Sequence, residues 1–261
     1  RMLSQTFLMR PVKEFPAGVG DNARARVHYS APQKEGGFMK KNYKSTVNAC
    51  FAGYVVQAIV NNFVPLLFLT FNKSYGIELS KITALITVNF ILQLIIDLLS
   101  AFFIDKIGYR AAAVAAHVFA AAGLVSLTVL PEILPSPFVG LLISVVLYAV
   151  GGGLLEVIVS PIVEACPTDN KEKMMSLLHS FYCWGSVAAV GISTLFFALF
   201  STDNWKIMSL IWAILPIVNA VMFTRVPIAP VVGEDEEKLS IKDMLKTKAF
   251  WIFMVLILCA G

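Results

Sequence analysis

Six apolar stretches, each about as long as a bilayer is thick, constrain this chain more than any other feature. A helix rises ~1.5 Å per residue, so about 20 apolar residues cross a hydrocarbon core of ~30 Å. Soluble proteins seldom place six such helices in a row without a polar face. The composition of the chain, 57% hydrophobic and 15% charged, agrees with helices that span a membrane. The sequence therefore predicts an all-α polytopic membrane protein, with spans at 45–71, 82–104, 110–130, 138–164, 174–200 and 204–224.

The segments outside these spans have a different composition. Residues 1–38 are rich in proline, glycine and basic side chains without apolar periodicity, which predicts a disordered or non-native extension before a six-helix unit at 39–224. Residues 225–248 form the longest loop, and its apolar residues between lysines indicate either a surface helix or a solvated loop. Residues 249–261 begin a seventh span that is too short to cross. We therefore expect the N-terminal part of a longer protein.

Basic residues indicate the orientation of the chain. With the N-terminus in the cytoplasm, the inner segments from Lys40 to Lys248 hold twelve lysines and arginines, and the outer loops hold three. Such a bias predicts a multi-pass protein of the cell membrane with a cytoplasmic N-terminus. It also accounts for the net charge of +4 without a nucleic-acid partner.

The chemistry of the chain is expected among polar groups inside the spans. No phosphate-binding loop, nucleophile elbow or metal-ligand spacing is present in the sequence, which predicts neither an enzyme nor a cofactor or metal site. Polar groups in a bilayer are costly and tend to face a cavity or a partner. Asn89, Gln93 and Asp97 follow one another at a spacing of four, along one stripe of the second span. That stripe lines a cavity or forms a network that only holds the bundle together.

The first span carries Gln57, Asn61 and Asn62 near its middle, and Gln57 and Asn61 share a face. Pro65 follows and can break the helix, which is tolerated where the freed carbonyl finds a partner or a cavity. The interpretation we favour is that these amides line a cavity.

The fourth and fifth spans each carry a titratable group. Glu156 follows three consecutive glycines in an otherwise apolar helix, and His179 lies in the next span. If the turn between the spans centres near Thr168, the two residues have similar depths, about 17 Å from the turn. An acid and an imidazole at one depth suit a proton relay or a grip on a hydroxylated solute, and a structural pair is the alternative. His117, in an alanine-rich span, is interpreted as structural or as lining the boundary of the cavity.

The loop after the second span carries a family signature. Residues 101–110 read AFFIDKIGYR, in which Asp105, Lys106, Gly108 and Arg110 match the pattern between the second and third helices of major facilitator superfamily transporters, and Ala101 replaces its first glycine. The resemblance implies the N-terminal half of a twelve-helix fold, built from inverted three-helix repeats, with the solute site between the halves. It also implies that Asp105, Lys106, Gly108 and Arg110 form a conformational latch between the halves.

Residues 153–186 resemble the fucose-permease branch of that superfamily, whose members are sugar–proton symporters. Glu156 matches the glutamate of the branch that lies five residues before a proline, and His179 occupies the polar position of its fifth helix. Asn61 and Asn62 match a pair in its first helix. Pro65 falls where the branch has an aspartate, so a second protonatable group is missing at that point.

These features predict a secondary transporter that moves a small polar solute, such as a sugar, by alternating access. The resemblance implies coupling to protons through Glu156, and the solute- or proton-linked residues are expected to be Gln57, Asn61, Asn62, Gln93, Asp97, Glu156 and His179. The expected partners are the lipid bilayer, the solute, protons and a C-terminal half of the same protein. The alternatives are an exporter of the same superfamily, a membrane sensor that does not transport, and an intramembrane enzyme using Glu156 and His179.

Overall fold

The computed structural model describes residues 43–168, 170–231, 246–248, 250–252 and 255. The predicted N-terminal extension, the amphipathic pattern at 239–245 and most of the seventh segment lie outside the described residues. Residues 250–252 and 255 are helical.

Every predicted span is a helix. The first span consists of α1 (Lys44–Phe63) and α2 (Phe68–Tyr75), separated by a 3-10 turn at Val64–Leu67. The other five spans are α3 (Leu79–Ile107), α4 (Tyr109–Ile133), α5 (Pro137–Ala165), α6 (Lys171–Phe200) and α7 (Trp205–Arg225). Among the described residues, six helices or helix pairs are long and apolar enough to cross a membrane.

Local sequence explains where the helices end and bend. Pro65 lies within the 3-10 turn, so the predicted break of the first span is confirmed. Gly108 has a φ of 82° between α3 and α4, a backbone conformation that side chains with a Cβ rarely adopt, which explains a glycine in the signature loop. The Asn170 side chain accepts a hydrogen bond from the backbone N–H of Lys173 and caps α6.

The helices pack around α1 and α5. α6, which is the fifth span, lies against α1, the first span. In the same way α3, the second span, lies against α5, the fourth span. The second helix of each three-helix repeat thus packs against the first helix of the other repeat, which is the arrangement that two inverted repeats produce. α4 packs against α5, and α7 packs against α4.

Consecutive glycines of α5 allow its neighbours to approach on two sides. A Cβ at Gly151 would lie 2.6 Å from the carbonyl oxygen of Ala116 and the backbone nitrogen of Ala120, both on α4. A Cβ at Gly153 would lie 3.0 Å from the Ile96 Cβ on α3. Small residues at these positions therefore permit backbone contact between spans, as in other membrane helix interfaces.

His117 joins three helices in the core. Its side chain is fully buried, with Nδ1 2.7 Å from the Ala113 carbonyl oxygen and Nε2 2.7 Å from the Asn219 amide nitrogen of α7. The same Asn219 amide donates to the Ala49 carbonyl of α1 at 2.9 Å. These contacts support a structural role for this histidine.

Two surfaces at the ends of the helices differ in charge. The ends at Lys44, Ile107, Tyr109, Ala165, Lys171 and Arg225 share one face of the bundle, which we call the basic face. At the opposite face, Glu132 accepts hydrogen bonds from the Tyr75 hydroxyl at 2.7 Å and from Lys206. That contact ties together the ends of α2, α4 and α7.

Candidate functional site

Asn61 is the centre of a hydrogen-bond network inside the spans. Its side-chain oxygen accepts from Gln93 at 2.7 Å and from Asn89 at 3.3 Å, both on α3. Its amide donates to the Tyr182 hydroxyl of α6 at 3.4 Å. Gln93 also donates to the side-chain oxygen of Asn89 at 3.0 Å. Three polar groups predicted from the sequence (Asn61, Asn89 and Gln93) are thus brought together by α1 and α3.

Glu156 lies beside this network and is itself exposed. One of its carboxylate oxygens accepts a hydrogen bond from the amide of Gln57 at 3.1 Å. Gln57 is buried, with 4% of its surface exposed. One turn further along α5, the Ser160 hydroxyl is 2.8 Å from the hydroxyl of Tyr54 on α1. The first and fourth spans therefore meet through two parallel polar contacts.

A hydrogen bond or ion pair between Glu156 and His179, which the alternative of a structural pair would require, is not among those of the described residues. α1 packs against both α5 and α6, and its Tyr54 reaches both helices. The Tyr54 ring lies 5.6 Å from the His179 ring, while its hydroxyl contacts Ser160. Tyr54 thus contacts His179 on α6 with its ring and Ser160, one turn from Glu156 on α5, with its hydroxyl.

Asp97 extends the stripe of the second span toward Glu156. It is half-buried on α3, a helix that packs against α5. One Asp97 carboxylate oxygen is buried without a hydrogen-bond partner among the described residues. We call the surface formed by Asp97, Glu156 and His179 the polar face.

The Asn62 side chain forms hydrogen bonds with different partners from those of Asn61. Its amide donates to the Ala58 carbonyl at 2.8 Å and to the Ser186 hydroxyl of α6 at 3.2 Å. Ser186 and Tyr54 are members of the site that the sequence interpretation missed. Both stand at helical spacing from predicted residues, since Ser186 is seven residues after His179 and Tyr54 is three before Gln57.

The arrangement separates two kinds of polar group. The amides of Asn61, Asn89 and Gln93 satisfy one another, so they hold α1, α3 and α6 in place. Glu156 and His179 are exposed on the polar face and can contact a solute or exchange a proton.

The residues of the signature loop lie at the basic face. Arg110 donates from Nη1 to the Phe223 and Thr224 carbonyl oxygens at 2.8 and 3.1 Å, so it caps the end of α7. Lysine or arginine at a helix C-terminus stabilises the orphan carbonyls and the helix dipole. Asp105 and Lys106 are exposed at the end of α3. A role in a latch between halves stays a prediction.

Three solved structures illustrate what this chain is similar to in fold. The xylose transporter XylE from E. coli in an inward-open conformation is 16% identical, with a TM-score of 0.63 over 71% of this chain and 48% of that one. A D-xylose–proton symporter is 16% identical, with a TM-score of 0.58 over 83% of this chain and 53% of that one. A peptide transporter, POT, in complex with sulfate is 16% identical, with a TM-score of 0.62 over 88% and 47%.

These identities show the fold alone, and this chain spans about half the length of each of those structures. No curated protein sequence matches the chain. The sequence profile of the Major Facilitator Superfamily matches residues 49–261, which include all six spans except the first turn of α1. The chain therefore belongs to the Major Facilitator Superfamily.

Proposed function

We propose that this chain is the N-terminal half of a secondary transporter that moves a small polar solute across the cell membrane by alternating access. The observation that carries this proposal is the polar face, where Glu156 and His179 are exposed beside a satisfied amide network in the spans. A purely structural network would bury its titratable members. In this arrangement the amides set the positions of the helices, and the exposed groups contact the solute.

Glu156 is the group that couples transport to protons in this proposal. A carboxylate at the middle of a span is costly when ionised in an apolar surrounding, and it is stabilised when water or a cation reaches it. A change in exposure during alternating access therefore changes its protonation. Gln57 holds the orientation of the Glu156 carboxylate through its hydrogen bond.

The solute class we propose is a sugar or a related metabolite. The carboxylate of Glu156 and the imidazole of His179 can form hydrogen bonds with hydroxyl groups, and the resemblance to the fucose-permease branch favours a sugar. Two of the three structures described above carry xylose in their names, and the third is a peptide transporter. The C-terminal half would supply the other wall of the site, and the basic face would lie in the cytoplasm.

The test is uptake into proteoliposomes by the polypeptide that contains this chain, with an inward proton gradient. A panel of pentoses, hexoses, deoxyhexoses and dipeptides would be compared, and we expect accumulation of at least one sugar. Glu156→Gln should abolish accumulation against a gradient and retain exchange of labelled for unlabelled solute.

Glu164→Gln is the matched control, since Glu164 is two turns further along the same helix and exposed at the basic face. It should accumulate the solute like the unaltered protein. Accumulation by Glu156→Gln would refute the coupling role. Solute-stimulated efflux without uptake would indicate an exporter, and absence of solute movement with every member of the panel would favour a sensor.

A further inference from the structure

An apolar groove lies on α4, a helix that contributes no residue to the polar face. It has a volume of about 600 Å³ and is formed by α4 and the end of α7. The six α4 residues follow one another at i, i+1, i+4, i+5, i+8 and i+9, so they form a single stripe. The groove is lined by Arg110, Ala111, Val114, Ala115, Val118, Phe119 and Thr224.

The shape of the groove suits one extended hydrocarbon chain. Small side chains at Ala111 and Ala115 make its floor, and Val118 and Phe119 stand at its inner end with 54% and 38% of their surfaces exposed. From Arg110 to Val118 the stripe runs about 12 Å along the helix axis, which is close to the thickness of one leaflet, half of a ~30 Å core.

The charge at the mouth of the groove indicates the headgroup. Arg110 is exposed at the basic face, where a phospholipid of that leaflet places its phosphate. Its Nη1 is held by the carbonyls of Phe223 and Thr224, which fixes the guanidinium at the end of the groove. A guanidinium has five N–H donors in a planar fork and binds phosphate in a bidentate manner. Arg225 adds a second exposed positive charge next to Thr224.

We propose that this groove is a binding site for a phospholipid with an anionic headgroup, whose phosphate contacts Arg110 and whose acyl chain lies along the stripe from Ala111 to Val118. Charge complementarity at the mouth and the leaflet-length apolar floor carry this proposal. It requires no solute and is independent of whether Glu156 couples transport to protons.

The experiment is native mass spectrometry of the chain after extraction from vesicles of phosphatidylcholine and phosphatidylglycerol in equal amounts. We expect retained lipid with a preference for phosphatidylglycerol. A basic residue near a charged headgroup contributes about 1 kcal/mol, so Arg110→Gln should lower the phosphatidylglycerol-to-phosphatidylcholine ratio roughly fivefold. Arg110→Lys keeps the charge and should retain most of the preference. Lys171→Gln removes a charge from the same face on α6, away from the groove, and should leave the ratio unchanged.

A second variant tests the acyl chain separately. Ala115→Phe fills the floor and should lower retention of both lipids, whereas Ala198→Phe, at an exposed alanine of α6, should not. Circular dichroism and monodisperse elution confirm that each variant is folded. Equal retention of the two lipids by the unaltered chain would overturn the preference for an anionic headgroup, and an unchanged ratio in Arg110→Gln would overturn the role of Arg110 in it. Full retention by Ala115→Phe would overturn the location of the acyl chain.

Discussion

Gly151 and Gly191 offer a pair of identical substitutions with opposite expected effects on stability. Both glycines lie in helix interiors, where replacement by alanine stabilises by about 0.5–1 kcal/mol because the unfolded chain loses freedom. Among the described residues, no atom lies within 4 Å of a Cβ placed at Gly191, so Gly191→Ala should stabilise by that amount.

At Gly151 the same methyl group collides with the backbone of α4. Its Cβ would stand 2.6 Å from the Ala116 carbonyl oxygen and the Ala120 nitrogen, and backbone atoms cannot rotate away as a side chain can. Overpacking of this kind costs about 1–3 kcal/mol. The gain in helix propensity is common to both variants. The difference between their free energies of unfolding therefore gives the cost of overpacking at Gly151. We expect Gly151→Ala to be less stable than Gly191→Ala by about 1–3 kcal/mol.

The assay is reversible unfolding in mixed micelles with a rising fraction of dodecyl sulfate, followed by the loss of helical circular dichroism. The unaltered chain, Gly151→Ala and Gly191→Ala would be compared at one protein concentration. If the two variants unfold at the same dodecyl sulfate fraction, α4 and α5 do not approach closely at this glycine, and the packing described above is wrong.

Further predictions concern the polar contacts in the core. A double-mutant cycle on Asn61→Ala and Gln93→Leu should give a coupling free energy of about 0.6–1.7 kcal/mol, the range of hydrogen bonds between spans, measured by the same unfolding assay. A coupling near zero would mean that these amides do not contact each other. His117→Leu leaves the buried Asn219 amide without its imidazole partner and should destabilise the chain by about 1–3 kcal/mol. An unchanged unfolding midpoint would contradict the structural role of this histidine.

The positions of the spans follow from the sequence because length and apolarity are sufficient to define them. Predicted bounds lie within a few residues of the helices, and the largest error is at the end of the first span, which was predicted at 71 although α2 continues through polar residues to Tyr75. The fifth span was predicted to start at 174, yet α6 begins at Lys171, because Asn170 caps a turn of charged residues that a hydropathy pattern excludes. Hydropathy detects the apolar core of a helix, whereas capping decides its end.

The contacts between spans could be predicted only in part. The i, i+4 spacing correctly grouped Asn89 with Gln93 on one face of α3. Spacing along α3 did not show that the partner of Asn89 and Gln93 is Asn61. It defines which residues share a face of one helix, but not which neighbouring helix packs against that face. For Glu156 and His179, their similar distance from the turn near Thr168 predicted a similar depth in the membrane and nothing about contact. The rotation of each helix, and the presence of α1 beside both, are decided by tertiary packing such as the contact of Gly185 with Val55 and Ala58.

The central claim is that water and solute reach the polar face within the membrane, and Cys183 can report on this directly. It is an exposed thiol one turn after His179 on α6, about 18 Å along the helix from Lys171 and thus near the middle of the bilayer. A variant that retains Cys183 while Cys50, Cys166 and Cys259 are replaced by serine would be treated in proteoliposomes with a membrane-impermeant thiol reagent.

Thiol reagents attack the thiolate, which forms where water is present. We expect Cys183 to be labelled. Trp184→Cys, in a background without Cys183, should not be labelled, since this neighbour at equal depth lies on another side of α6. Labelling of Trp184→Cys with protection of Cys183 would contradict the account, because it would place the aqueous path on the wrong side of the helix.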